Sequence, residues 1–258
     1  DWIAGNAPSS SERMIGRWMR ARRADVVVAT KGGHPPLSDP SQSRLDEKSL
    51  RRDAEEARIH LGVSAIELFY LHRDDPRQPV EEILGALEAM RADGLLRFYG
   101  ASNWSAARLQ EAHAVASRKS LQGFAANQAE WSFARRRPQA AQPDLCDMDA
   151  AMTAFHERTG CAAIPYSAQA KGYFEKSPDA LDPATARLYD SERNRRVAQE
   201  LRHAAERRGA TPTALMLAAM MRTPFPTIPV IGCRSPAQVL VAMASLDLDL
   251  EPDDLRAL

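Results

Sequence analysis

The chain has 258 residues, enough for one large α/β domain or two small ones. Its 34 Lys plus Arg balance 34 Asp plus Glu, so no basic surplus marks a nucleic-acid partner. No run nears the roughly 18 uninterrupted apolar residues of a membrane span, and the opening DWIAGNAPSSSER has neither the basic nor the apolar region of a signal peptide. Cys146, Cys161 and Cys233 are odd in number and never in CxxC spacing. That pattern fits reduced thiols in a cytoplasmic protein, with no disulfide frame and no metal site.

Short apolar runs alternate with longer amphipathic segments. DVVVATK (Asp25 to Lys31) is β-branched and too short for a helix, so a strand is expected. After a Gly/Pro/Ser-rich loop, Leu50, Ala54, Ala57 and Leu61 recur at helical spacing, with Asp46 as N-cap and Gly62 as the stop. IELFYL (Ile66 to Leu71) reads as a second strand. VEEILGALEAMR then places Val80, Ile83, Leu84, Leu87 and Met90 on one helical face. RFYGA (Arg97 to Ala101) precedes a helix from about Ser105, and GFAAN (Gly123 to Asn127) a helix carrying Met148, Met152 and Phe155. CAAIPY (Cys161 to Tyr166) leads to a helix with Val197, Leu201 and Ala204. Thr211-Pro212 opens another helix, through MLAAMM. TIPVI (Thr227 to Ile231) is the last expected strand, with a final helix from about Ser235.

Buried runs alternating with helices imply a parallel sheet covered by helices, in a single domain over 1–258 with no linker. A doubly wound nucleotide-binding sheet should carry GxGxxG after a strand, and none is present. A (β/α)8 TIM barrel places its chemistry at the C-terminal ends of the strands. Here those ends fall on Lys31, His72, Ser102-Asn103, Asn127-Gln128, Tyr166-Ser167 and Gly232-Cys233-Arg234, nearly all polar. The barrel is the expected architecture.

At these strand ends the sequence resembles the aldo-keto reductase superfamily. The matching segments are VVVATKGG, LFYLHRDDP, YGASNW, NQAEWS, PYSAQAKGYF and IPVIGCRSPAQ, in the family's order and across essentially the whole chain. The resemblance implies reduction of a small-molecule carbonyl substrate by NADPH, with Asp, Tyr, Lys and His in one pocket. Lys31 matches the lysine and His72 the histidine. A tyrosine hydroxyl, with a pKa of about 10, is a poor proton donor near neutrality unless a cation lowers it. The lysine would supply that cation, and the histidine would donate a hydrogen bond to the carbonyl oxygen as charge develops.

In the family the tyrosine and aspartate sit in a DTAxxY-like stretch ahead of a GxxSExxLG-like helix start. SSSERMIG (Ser9 to Gly16) matches that helix start, and Asp1 falls just beyond where the tyrosine should be. The five tyrosines, Tyr70, Tyr99, Tyr166, Tyr173 and Tyr189, match other positions. The expectation is therefore a barrel whose first two β/α units, about 60 residues, are missing from this chain, a fragment inactive by itself.

The resemblance also implies cofactor positions. Ser102, Asn103 and Gln128 match residues that bind the nicotinamide carboxamide, and Tyr166 the aromatic stacked on its ring. Ser167, Gln169, Lys171 and Gly172 fall in the pyrophosphate loop. Gly232, Arg234, Ser235 and Gln238 match the segment on the adenosine 2′-phosphate, where an arginine suits a dianion and favours NADPH over NADH. Val241 and Ala242 depart from the Glu-Asn that many members place on the adenine.

Plainer readings cover the remaining polar residues. Arg73, Asp74 and Asp75 read as a solvated loop start, and Arg135, Arg136 and Arg137 as exposed charge. His34 reads as a mobile loop residue. His60, His113, His156 and His203 are assigned to outer helix faces. Met216, Met220 and Met221 read as core. Trp131 either lines the pocket or anchors a loop. Two alternatives stand beside the reductase: an NADPH-binding regulatory or sensor subunit, and a catalytically inactive remnant.

Overall fold

A computed structural model describes residues 9–140 and 144–251. Asp1 lies outside them. The chain divides into two compact units, Asp1–Asn127 and Gln128–Leu258.

In the first unit, helix α1 (Ser10–Arg22) and strand β1 (Ala29–Gly32) precede α2 (Glu47–Leu61), β2 (Ile66–Leu71), α3 (Val80–Ala92), β3 (Leu96–Ser102) and α4 (Ala106–Lys119). The strands β1, β2 and β3 pair in parallel and in order. Ile66, Phe69, Tyr70 and Leu71 of β2 are all buried, as expected of a strand covered on both faces. The expected helix signals hold: Asp46 Oδ1 accepts from the Ser49 N–H, and Gly62 closes α2 at φ +71°. Ser105 caps α4 in the same way, its side chain accepting from the Arg108 N–H.

Two glycines answer to space. Gly100 faces Tyr70 in the β2–β3 register, and a Cβ there would lie 2.7 Å from the tyrosine ring and 2.5 Å from the Ala126 carbonyl oxygen. Gly16, the one buried residue of α1, would bring a Cβ to 2.4 Å from the Leu61 carbonyl oxygen. That closeness lets α1 pack on the end of α2, where Arg20 Nη1 also donates to the Leu61 oxygen at 3.2 Å.

The β1 strand is shorter than expected. The register sets Ala29 against Leu68, so Asp25 and Val26 run past the start of β2, and Val27 is 78 % exposed. GFAAN is likewise displaced toward its C-terminal end: β4 is Ala126–Gln128, its Ala126 and Asn127 belonging to this unit, where the Ala125 N–H donates to the Tyr99 oxygen.

In the second unit, α5 (Ala150–Thr159), β5 (Ala162–Ala163), α6 (Pro183–Tyr189), α7 (Glu192–Arg207), α8 (Pro212–Met220) and α9 (Pro236–Met243) follow. Helix α8 starts at Pro212 behind a Thr211 cap, and every residue from Thr213 to Met220 is buried. It packs beside Tyr173, Phe174, Tyr189, Val197 and Leu201 in one apolar cluster, which holds Met216 and Met220 as expected. Trp131 lies partly buried against this cluster, consistent with an anchor.

Three expectations are corrected here. TIPVI forms no regular strand: Thr227 makes a lone bridge to Ala163, and Val230 N–H reaches the Pro165 oxygen. Pro226 and Pro229 lack the N–H groups a continuous ladder needs, and Pro165 truncates β5 on the other side. Met148 precedes α5, whose cap is Asp149. His156 does not face outward. It is fully buried, its Nδ1 2.7 Å from the Cys161 oxygen and its ring stacked on Phe225. No helix among the described residues is long and apolar enough to cross a membrane.

Candidate active site

The first unit brings four of the expected residues to the C-terminal ends of β1, β2 and β3. Lys31 lies opposite Tyr70 in the register, its Nζ 5.8 Å from the centroid of that ring. The His72 N–H donates to the Gly32 oxygen at 2.9 Å, tying the end of β2 to the end of β1. Burial, and then the nearby Arg73 guanidinium, lower the Lys31 pKa from its usual value. Burial acts more strongly on His72, and Lys31, Arg73 and His34 add like charge, pushing its pKa down to about 2. His72 is a neutral imidazole across the physiological range, with one ring N–H to donate.

Ser102 and Asn103 end β3 and are buried. Asn103 adopts φ +59°, a left-handed conformation that asparagine tolerates better than most residues, and its Nδ2 is 3.2 Å from Ser102 Oγ. Trp104, fully buried, donates from Nε1 to the Arg73 oxygen, which fixes the segment after β3 against the segment after β2.

The segment after Lys31 is tied to α2 and to the loop before it by hydrogen bonds. Arg44 pairs with Asp53 and donates to the His34 oxygen at 3.0 Å, while Asp53 Oδ2 accepts from the Gly33 N–H at 2.9 Å. His34 stands against His72 at this site. Lys31, His34, Pro35, Pro36, Leu37 and His72 share the wall of a cleft of about 1010 Å³.

Asp74 is not a solvated loop residue. Arg108 donates to its Oδ2 and Oδ1 at 3.0 and 3.1 Å, both side chains being largely buried, and the guanidinium stacks over Trp104. Charge neutralisation by a residue 34 positions away is what permits the burial. The Arg73-Asp74-Asp75 string carries no sequence signal of that distant partner.

In the second unit, Gln128 is buried and Tyr166 partly so. Tyr166 is fixed by its backbone: its N–H donates to the Ala129 oxygen and its oxygen accepts from the Trp131 N–H, both at 3.1 Å. The segment after it turns sharply. Ser167, Ala170, Lys171 and Gly172 all have positive φ, at 57°, 44°, 55° and 77°. Ala168 and Ala170 are sunk in the apolar cluster, whereas Lys171 is exposed and a Cβ on Gly172 would meet nothing within 4 Å. The Ala170 N–H donates to the Ser167 oxygen and the Gly172 N–H to the Gln169 oxygen, both at 2.8 Å, so the turn is closed by its own backbone.

Gln169 Oε1 accepts from the Gly232 N–H at 3.0 Å, so two of the expected cofactor segments meet. Ser235 caps α9 by accepting from the Gln238 N–H, while Gln238 Oε1 accepts from the Arg234 N–H at 2.6 Å. The Gln238 side chain thus reaches back past the Ser235 cap to the residue before it. Arg234, Ser235 and Gln238 are all exposed. Ala242 is buried in the apolar cluster.

Arg136 is not an exposed charge. It pairs with Glu130, a carboxylate only 6 % exposed, at 2.6 Å.

The Aldo/keto reductase family model matches residues 7–258. The chain belongs to the aldo/keto reductase family. It is 29% identical over 229 residues to aldo-keto reductase str7 of Strobilurus tenacellus, covering 84% of this chain and 63% of that protein. Against norsolorinic acid reductase stcV of Emericella nidulans the identity is 25% over 254 residues, covering 95% of this chain and 63% of that one. The chain thus spans under two thirds of the length of these two relatives. Among solved structures, the thermostable aldo-keto reductase Tm1743, in complex with the inhibitor epalrestat, matches with a TM-score of 0.69 at 18% identity, over 95% of this chain and 75% of that one. That likeness establishes the fold, the α/β barrel class of the aldo-keto reductases.

Proposed function

We propose that this aldo/keto reductase is an NADPH-dependent oxidoreductase that reduces an aldehyde or ketone to an alcohol. The observation that carries the reading is Lys31 and His72 at the ends of adjacent strands, with His72 held neutral.

Bound NADPH would supply the hydride for the carbonyl carbon. The His72 ring N–H donates to the carbonyl oxygen, an interaction that strengthens as negative charge builds there. Lys31 lowers the pKa of the phenol that protonates that oxygen. None of the chain's five tyrosines matches that phenol; Tyr70 meets Lys31 with its ring face and is buried.

The residues present fit the cofactor. The segment of left-handed turns at Ser167 and 170–172 would lie along the diphosphate, with Gln169 linking it to Gly232. Ser102, Asn103 and Gln128 would hold the carboxamide and Tyr166 the ring. Lys171 and Gly172 would meet the diphosphate, and Arg234, Ser235 and Gln238 the 2′-phosphate. The Gln238 side chain fixes the Arg234 backbone, which favours a guanidinium placed for paired hydrogen bonds.

A second reading is an NADPH-binding regulatory subunit. The natural gene product decides between them. A panel of aldehydes and ketones should give NADPH consumption with equimolar alcohol. NADPH binding with no consumption would replace the reductase by the regulator.

A further inference from the structure

Arg108, on α4, holds a stretch of chain 30 to 34 positions before it, the segment that follows His72. Its Nε and Nη2 donate to the two carboxylate oxygens of Asp74 at 3.0 and 3.1 Å. Nη2 also reaches the Gln78 oxygen at 3.0 Å and the Asp75 oxygen at 3.4 Å, while Nη1 donates to Glu111 at 3.0 Å. Such a set needs the planar fork of a guanidinium; a lysine ammonium would neutralise Asp74 without reproducing it. Trp104 completes the clamp. The guanidinium lies 5.2 Å from the centroid of its ring, which also stands edge-on to Phe124 with centroids 5.0 Å apart. Its Nε1 donates to the Arg73 oxygen at 3.3 Å.

The clamp acts where the sheet stops. The β2–β3 register ends at Leu71 against Ala101, one residue short of His72 and of Ser102. Beyond that point Trp104 and Arg108, after β3, tie down residues 73–78, after β2. His72 is fixed from its other side by its N–H on the Gly32 oxygen, and Asn103 Nδ2 lies 3.5 Å from the His72 oxygen. We infer that Arg108 is a positioning residue: through Asp74 and Trp104 it holds His72 at a fixed spacing from the Ser102–Asn103 end of β3. That spacing sets the hydrogen-bond donor for the carbonyl against the subsite for the nicotinamide carboxamide. Hydride transfer needs the two aligned, and a misplacement of about 1 Å costs on the order of 10²-fold in rate. The inference rests on the reductase reading above.

The test uses Arg108→Lys in the natural gene product, which keeps a charge beside Asp74 and removes the fork. NADPH affinity is measured by fluorescence titration. The rate of a single turnover is then read on the NADPH-loaded protein, so that product release plays no part. The substrate is para-nitrobenzaldehyde, or the carbonyl of the panel that wild type reduces fastest. The expected result is a single turnover slowed about tenfold or more, with NADPH affinity within about twofold of wild type. A wild-type rate in Arg108→Lys means that charge alone suffices; it overturns the positioning role and leaves the reductase reading standing. Parallel loss of rate and of NADPH affinity means a general loss of structure and also overturns it. A wild type that binds NADPH and reduces no carbonyl of the panel overturns the reductase reading itself, and the inference with it. Should Arg108→Lys fail to fold, Trp104→Phe, which keeps an aromatic ring and removes the Nε1 donor to Arg73, is read by the same two measurements with the same outcomes.

Discussion

The His34 ring stands edge-on to the His72 ring, their centroids 4.8 Å apart and their planes at 71°. Burial first, and then the like charge of Lys31, Arg73 and His34, act together against protonation of His72. The folded protein therefore refuses a proton that the unfolded chain takes up at a pKa of about 6.5.

The sign of the consequence follows. Below pH about 6.5 the unfolded chain binds more protons at this position than the folded one, so stability falls as the pH falls, by up to about 1.4 kcal/mol per pH unit. Above that pH the contribution is fully present. His156, whose pKa burial also lowers, adds in the same direction. Urea unfolding of wild type and His72→Gln between pH 4 and pH 7 should show the slope reduced in the variant. An identical slope would mean that His72 titrates normally in the folded state.

Gly16 and Gly85 make a matched pair for packing. A Cβ at Gly16 would strike the backbone oxygens of Leu61 and His60 at 2.4 and 2.6 Å, whereas one at Gly85, on the exposed face of α3, meets nothing within 4 Å. Gly16→Ala should destabilise by about 1–3 kcal/mol through overpacking. Gly85→Ala should stabilise by about 0.5–1 kcal/mol, since alanine loses less backbone freedom in a helix. Denaturant midpoints measured side by side check both signs.

Arg234 is the residue expected to read the 2′-phosphate. Arg234→Ala should weaken NADPH by about tenfold or more, by loss of charge-assisted hydrogen bonds, and leave NADH nearly unchanged. Fluorescence titration with the two cofactors gives the ratio. Equal weakening of both would move Arg234 off the 2′-phosphate.

The elements that the sequence revealed are those governed by local chemistry. IELFYL became β2 with its ends as expected, and Asp46, Ser105 and Thr211 cap their helices because a short polar side chain ahead of an apolar period has that use. Lys31, His72 and Asn103 were legible because strand ends in a barrel turn polar only where chemistry or solvent demands it. What was hidden depends on partners distant in sequence. Asp74 looked solvated until Arg108 covered it, Glu130 required Arg136 and Tyr189, and His156 required Phe225 and the Cys161 carbonyl. TIPVI forms no regular strand for a reason present in its own prolines: two missing N–H groups outweigh its β-branched composition.

Replacing Lys31 by methionine in the natural gene product tests the central claim most directly. The substitution keeps the aliphatic stem and removes the cation. NADPH binding and steady-state reduction of an aldehyde that wild type accepts would be measured on the same preparation. The account predicts NADPH bound within about twofold of wild type and carbonyl reduction lost by a factor of about 10² or more. Turnover at the wild-type rate in Lys31→Met would contradict it.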